Sequence, residues 1–308
     1  MKKLDVAVVG EIYLDHIFTG FDRWPQPGEE AYAPHYAREV GGGAAITACA
    51  LAKLGRSVDL VGVIGAGDAV WIGNRLRAFD VSDDGLVKSG ENTGVTVAVS
   101  IHEERSFFSH AGANKQLQGM LGTEAMWASL CKARHVHFAL PLEREPGLRL
   151  LAALRSRGCT TSLDVGFHPK WLQAPPNLDI CRAVDYFLPN EKEAALFCGA
   201  EGVDYLTFAQ QQGLSRPVLK RGRLGAAMIA DGIRHEASPP SVSVIDTTGA
   251  GDVFDAGFID AYLDGAVPQD CLRRACACGA LSTRAAGALT ALPQRAELER
   301  VYGQNHGA

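Results

Sequence analysis

Short apolar runs that alternate with helix-like stretches constrain the fold of this chain more than any other feature. The strand candidates are Val6–Val9, Asp59–Ile64, Val95–Ile101, Val136–Leu140, Thr160–Val165, Tyr186–Leu188 and Val218–Lys220. Helices are expected near 44–54, 69–79, 123–132, 147–157, 191–198, 250–264, 270–286 and 294–302. Runs that are apolar at successive positions belong to strands buried on both faces. Set between helices, they predict a mostly parallel sheet covered on both sides. The 308 residues suffice for one large α/β domain, and no internal repeat or low-complexity tract interrupts the pattern.

Two stretches break the alternation. Residues 12–38 and 93–110 read as polar-alternating strands with turns such as Trp24-Pro25-Gln26-Pro27-Gly28, and no helix is expected between Ile12 and Val40. They predict a small, half-exposed sheet set against the main domain. Its open face calls for a cover, either a bound substrate or a second chain, unless the strands are only a decorative insert.

Composition removes several function classes. The chain is 47% hydrophobic and 21% charged, ordinary values for a globular protein. The net charge is −5 with no Lys/Arg-rich run, which argues against a nucleic-acid partner. The start, Met1-Lys2-Lys3, resembles a signal n-region, but Asp5, Glu11 and Asp15 interrupt any apolar core, so no signal peptide is expected. No apolar run approaches the ~18 residues of a membrane span, and a cytoplasmic location is expected. Eight scattered cysteines, with no Cys-x-x-Cys among them, read as small buried hydrophobes in a reducing compartment.

The densest chemical signal is Asp246-Thr247-Thr248-Gly249-Ala250-Gly251-Asp252, which opens an apolar helix-like run. Such a turn presents backbone N–H groups at a helix N-terminus, where an anion binds readily. Phosphoryl transfer would use both halves, the N–H groups holding the migrating phosphate and Asp252 taking a proton. A plain glycine-rich helix entry with a first-turn acid reads equally well from these residues alone. Gly41-Gly42-Gly43 precedes another helix and permits either close ligand approach or tight packing. Asn190 and Glu193 have capping-box spacing, which explains both; a place near nucleotide phosphates, with Glu193 holding Mg²⁺ through water, is the other reading. Lys220-Arg221-Gly222-Arg223-Leu224-Gly225 ends a strand, as a phosphate loop or as the turn of a surface hairpin. Dinucleotide fingerprints at 65–70 and 249–254 lack their third glycine, and neither a P-loop nor a Gly-x-Ser-x-Gly elbow occurs.

Taken together, these segments resemble the ribokinase-like (PfkB) family of carbohydrate kinases, in the right order and along nearly the whole chain. Asp246–Phe254 is similar to the family's C-terminal signature, Gly41–Ala45 to its Gly-Gly motif, Gly62–Asp68 to its Gly-x-x-Gly-x-x-Asp, and Asn190–Glu193 to its Asn-x-x-Glu. Lys220–Gly225 resembles the nucleotide loop, and Arg284–Ala288 with Leu292-Pro293 the closing segment. The resemblance implies a three-layer α/β/α sandwich over 1–308, with a small β-sheet lid from about 12–38 and 93–110 that often serves for dimerisation. It implies an ATP-dependent kinase acting on a primary hydroxyl of a small sugar, with Asp252 as base and the N–H groups of Gly249, Ala250 and Gly251 as the anion hole. Asp15, Gly41, Gly42, Gly43 and Asn114 would face the sugar, with capping of the next helix the alternative for Asn114. Asn190, Lys220, Gly222, Gly225 and Gly251 would serve the nucleotide and Glu193 the Mg²⁺. Asp246, Thr248 and Gly287 would hold a monovalent cation such as K⁺.

Departures from the family's pattern bear on the acceptor. Ile46 stands where sugar kinases of this type usually carry a substrate-contacting Asn, and Asp164-Val165-Gly166-Phe167-His168 stands for Asp-x-Asn-x-Arg. Both count against ribose and plain fructose. Cys276 replaces an Asn near adenine and implies apolar base contacts. Phe18, Trp24, Phe107 and Phe108 in the two strand-only stretches keep a nucleoside acceptor open as the alternative. A non-catalytic sugar- or nucleotide-binding protein would be expected to have lost Asp252 or its turn, and both are present.

Overall fold

The computed structural model describes residues 4–101, 104–200 and 202–305. Its main sheet places Tyr186–Phe187, Thr160–Leu163, Ala133–Ala139, Leu4–Gly10, Val58–Gly65 and Val81–Ser82 side by side, and Leu86–Ser89 also pairs with Val58–Gly65. The pairings among these strands are parallel. In the strand Leu4–Gly10, Val6 and Val8 enter one hydrophobic core, and Ala7 and Val9 enter the other. Alternate side chains point to opposite faces, so an all-apolar strand needs cover on both. Helices Gly43–Lys53, Ala69–Arg77, Ala250–Leu263 and Pro268–Ser282 close the first core. Helices Leu117–Leu121, Arg144–Ser156, Leu178–Ala183 and Tyr205–Gln211 close the second. The expected three-layer α/β/α sandwich is the observed one.

The C-terminal ends of the parallel strands gather the loops that matter below. An isolated parallel bridge, Asn190 to Lys220, joins the end of the main sheet to a second, antiparallel one made of Val218–Lys220, Ala226–Ala230 and Ile233–Ala237. The hairpin read after Lys220 does form, but not on the surface. Ala226–Ala230 is buried throughout, because the helix Pro268–Ser282 packs against it.

The two strand-only stretches supply a separate four-stranded sheet, ordered His35–Gly41, Tyr13–Phe21, Gly94–Ile101 and Glu104–His110. His102 and Glu103 of the second stretch lie outside the described residues, as do Met1–Lys3 at the leader-like start. Tyr36, Phe107 and Phe108 are exposed on this sheet. Asp68 braces it to the main one, accepting hydrogen bonds from Arg38 at 2.8 Å and the Thr93 hydroxyl at 2.9 Å. Thr93 in turn accepts from the Gly65 backbone at 2.9 Å.

Some elements escape the periodicity. Val81–Ser82 and the helices Pro169–Leu172 and Leu178–Ala183 span two, four and six residues, too few to show a repeat. The helix expected to reach 286 stops at Ser282. Beyond it the Thr283 carbonyl accepts from the backbones of Ile245 and Asp246, and the Gly287 N–H donates to the Asp246 carboxylate at 2.7 Å. These bonds pull the chain out of the helix and onto the 245–249 loop. The cysteines at 49, 181, 271, 276 and 278 are buried, and burial pushes the thiols of Cys49 and Cys276 up to about 12, which suits inert packing. Among the described residues no helix is long and apolar enough to cross a membrane.

An ionic cluster ties the helix layer together. Buried Asp260 accepts from Arg56, Arg274 and Arg295, each at 2.6 Å, and Asp264 shares the same three arginines. The arginines come from the turn after Gly43–Lys53, from Pro268–Ser282 and from Arg295–Asn305. Removing one member leaves buried charge unbalanced. Asp260→Ala is therefore expected to lose about 3–5 kcal/mol in urea unfolding; a loss below about 1 kcal/mol would mean Asp264 alone holds the arginines.

Candidate active site

The turn at 246–252 is set by Gly249, whose φ of 75° lies in the left-handed region. A side chain there would also meet Ala288 at 2.8 Å and Ile46 at 3.1 Å. The turn is thus clasped between the closing segment and the helix Gly43–Lys53. The Val253 N–H reaches back to the Gly249 carbonyl at 2.9 Å, and the Ala250 N–H to Thr247 at 3.2 Å. The N–H groups of Gly251 and Asp252 lie in the first turn, ahead of that first helical bond, where a helix start leaves donors for an anion. Ala250, read with the glycines as an anion donor, has its N–H engaged in the turn.

Asp252 is half-buried beside a second helix start. A Cβ on Gly43, the first residue of Gly43–Lys53, would sit 2.7 Å from its carboxylate oxygen. Two helix N-termini therefore meet at one carboxylate, and Thr47 donates to the Asp252 carbonyl at 3.2 Å. Burial raises the Asp252 carboxyl to about 7, the Asp164 charge adds to that, and Lys220 opposes it.

Asp15 flanks the other end of the same glycine run. A Cβ on Gly41 would overlap its carboxylate. Burial raises Asp15 to about 6, helped by Glu39 opposite it on the neighbouring strand. Glu39 is itself held by Arg75 at 2.7 Å. Gly42, between them, caps the helix with φ 92°.

Asn114 is placed near this end, with its amide bonded to the backbone of Ile12. It accepts from the Ile12 N–H at 3.0 Å and donates to the Ile12 carbonyl at 2.9 Å. It makes no helix-cap bond; it fixes Ile12, just ahead of the strand Tyr13–Phe21 that carries Asp15. Ile46, at the usual position of a substrate Asn, is buried and faces Gly249.

Asn190 and Glu193 form the capping box in full. Glu193 N–H donates to Asn190 Oδ1 at 3.0 Å, and Asn190 N–H donates to Glu193 Oε2 at 2.9 Å. Glu193 is buried, which raises its carboxyl, and the Asp164 charge adds to the effect. Gly225, with φ 84°, presses on the Ala237 carbonyl, which also accepts from the Cys276 thiol at 3.6 Å. Asp246 accepts from Thr248 and from Gly287, which brings together the three residues expected at the cation.

Lys220 differs from its sequence reading. Its ammonium turns inward, not out toward a nucleotide loop, and donates to Asp164 at 2.6 Å and to Asp255 at 3.2 and 3.3 Å. Asp255 lies three residues after Asp252, on the same helix face, and that spacing was the available signal. Burial alone would raise Asp164, but Lys220 and a hydrogen bond from Asp255 hold it below the usual carboxylate range. Burial keeps Asp255 well above that range.

Comparison with known proteins identifies the family. A family model described as "pfkB family carbohydrate kinase" matches residues 3–295. A ribokinase of Arabidopsis thaliana is 27% identical over 94% of this chain and 79% of the relative. A cytidine kinase of Thermococcus kodakarensis is 26% identical over 88% of this chain and 92% of the relative. The solved structure of Arabidopsis thaliana ribokinase complexed with ribose and ATP superposes with a TM-score of 0.85 at 24% identity, covering 97% of this chain and 98% of that one.

The contact between Gly43 and Asp252 can be checked directly. Gly43→Ala is expected to lose about 1–3 kcal/mol in thermal unfolding through overpacking, whereas Gly67→Ala, with open space around it, is expected to be silent. Equal stability of the two variants would place the Asp252 carboxylate elsewhere.

Proposed function

Since the chain belongs to the pfkB family of carbohydrate kinases, phosphotransferases with an alcohol acceptor, we propose that it transfers the γ-phosphate of ATP to a primary hydroxyl of a small sugar or sugar derivative of the ketohexose type. One observation carries this reading: Asp15 and Asp252 flank the same three-glycine segment, Gly41–Gly43, at the start of a helix. Asp15 binds acceptor hydroxyls, the glycines let the sugar approach the backbone, and Asp252 faces the hydroxyl that reacts. As that oxygen bonds to the γ-phosphorus, its proton passes to Asp252 and the β–γ bridging bond breaks, leaving ADP. The N–H groups at the start of Ala250–Leu263 stabilise the charge on the moving phosphoryl group.

The nucleotide is assigned to the other side of the turn. Asn190, Gly222, Gly225 and Gly251 border its phosphates. The base is assigned to a cavity of about 560 Å³ whose lining mixes apolar Ala237, Pro239, Pro240 and Ala277 with polar Glu236 and Arg273. Glu193 supplies hard oxygen donors suited to a hydrated Mg²⁺, which when bound neutralises phosphate charge. Asp246, with the main-chain oxygens of Thr248 and Gly287, is the assigned place for K⁺, and exchange of K⁺ for Tris in the assay checks it.

Ile46 makes the wall beside Gly249 apolar, which favours an acceptor needing no hydrogen bond there. A nucleoside acceptor is the second reading. Phe107 is exposed on the face of the small sheet that also carries Asp15 and would hold a base there, and one relative is named a cytidine kinase. The small sheet is assigned as a lid over the acceptor, and Tyr36 and Phe108, exposed on its opposite face, as a dimer contact. An ATPase rate independent of acceptor would remove the lid, and a monomer in light scattering would remove the dimer.

Acceptor-dependent ADP release with Mg-ATP and K⁺, over ketohexoses, pentoses, sugar acids, sulfosugars, phosphosugars and nucleosides, tests the assignment. A sugar hit supports the first reading, a nucleoside hit the second, and silence with ATP still bound removes both. Asp252→Asn is expected to keep ATP binding and lose about 10²–10⁴ in turnover, the usual worth of a general base. A base acts when ionised, so with a carboxyl near about 7 kcat/KM should fall below that pH and level off above it. An Asp252→Asn enzyme of near wild-type rate would remove Asp252 as base.

A further inference from the structure

Behind Asp252 lies a set of acids, of which Asp164 and Asp255 have no part in the proposed transfer itself. Asp164 comes from the end of the strand Thr160–Leu163, Glu193 from the start of Glu191–Cys198, and Asp255 from the same helix as Asp252. Lys220, at the end of Val218–Lys220, is the cation that meets them. Its side chain is 9% exposed, that of Asp164 11% and that of Asp255 0%. The ammonium donates to both acids, and a Cβ on Gly251 would lie 3.6 Å from it. The positive charge therefore sits directly beneath the turn that carries the anion donors and the base.

We propose that Lys220 is a positioning residue for phosphoryl transfer: its buried ammonium balances the carboxylates behind the turn at Gly251 and so governs how readily Asp252 takes and releases a proton. This rests on the reading of Asp252 as the base. The groups bearing on Lys220 are Asp164, Asp255 and Glu193, and His137 reaches the same cluster from Ala133–Ala139. Burial holds His137 neutral, at about 4, so it adds no charge near neutral pH. Burial raises the Asp255 carboxyl, while Lys220 and the hydrogen bond shared with Asp255 hold the Asp164 carboxyl low. The Lys220 charge then opposes that of Asp164. Without the lysine, Asp252 would face the Asp164 charge uncompensated in a poorly solvated site, where like charge disfavours ionisation. The inward turn of Lys220 is a use of this residue that a phosphate-loop reading does not contain.

The test follows the side-chain carboxyl of Asp252 by ¹³C NMR titration, assigned by its loss in Asp252→Asn, together with the acid limb of kcat/KM. In Lys220→Met both midpoints are expected to rise by about one pH unit or more, the usual effect of losing an opposite charge at this range. A role in packing alone would lower the melting temperature and leave the midpoints in place. Unmoved midpoints in folded Lys220→Met overturn the proposal. Should that variant not fold, Asp164→Asn is compared with Asp164→Asn/Lys220→Met, in which Asp255 and Glu193 are the acids left beside the mutated lysine. A higher midpoint in the double variant supports the proposal, and equal midpoints overturn it. The NMR midpoint reports on Lys220 without turnover. If Asp252→Asn keeps its rate while the midpoint still moves, the base assignment fails and the charge control stands. If Asp252→Asn loses its rate and the midpoint does not move, the reverse holds.

Discussion

Two helices begin at almost the same point, and the carboxylate between them organises this protein. Gly43 opens one helix and Ala250 the other, and Asp252 lies where a single methyl on Gly43 would touch it. Close approach of two helix starts concentrates positive potential from unpaired N–H groups. It also takes Asp252 out of water, which pushes the carboxyl the other way. The balance leaves an acid near neutrality instead of a permanently ionised one, a state from which a proton can be accepted and given back.

The surrounding structure can be understood as support for that meeting point. The parallel strands deliver Asp164 and Asn190 to one end of the main sheet, where ligand sites of such sheets lie, and the bridge from Asn190 brings Lys220 of the antiparallel sheet to the same place. The Asp260 cluster locks the helix Ala250–Leu263 to the turn after Gly43–Lys53 and to the two C-terminal helices. Relative sliding of the two helices is thereby restrained at their far ends while their starts stay open. Asp68, Arg38 and Thr93 hold the small sheet at the rim, and Asn114 fixes Ile12, just ahead of the strand Tyr13–Phe21 that carries Asp15.

Much of this was legible from residues alone. The all-apolar strands announced a sheet covered on both faces, the strand-only stretches announced a second sheet, and the Gly-rich turn before an apolar run announced the start of the helix Ala250–Leu263. Asn190 and Glu193 announced their capping box by spacing. These features are local: each depends on side-chain period, backbone freedom or a bond between residues three apart. Short helices such as Leu178–Ala183 were not legible, because six residues carry too little of the 3.6-residue repeat.

What the sequence by itself determined was the architecture, the family resemblance and the residues at the candidate site. What only the tertiary structure decided was how those residues are paired. Lys220 is 56 positions from Asp164 and 35 from Asp255, yet its ammonium is bonded to both. Asn114 is 102 positions from the loop it holds. Pairings of that range carry no periodic trace in the chain. They arise because strands from distant segments end side by side, and burial there makes an unpartnered charge or amide costly.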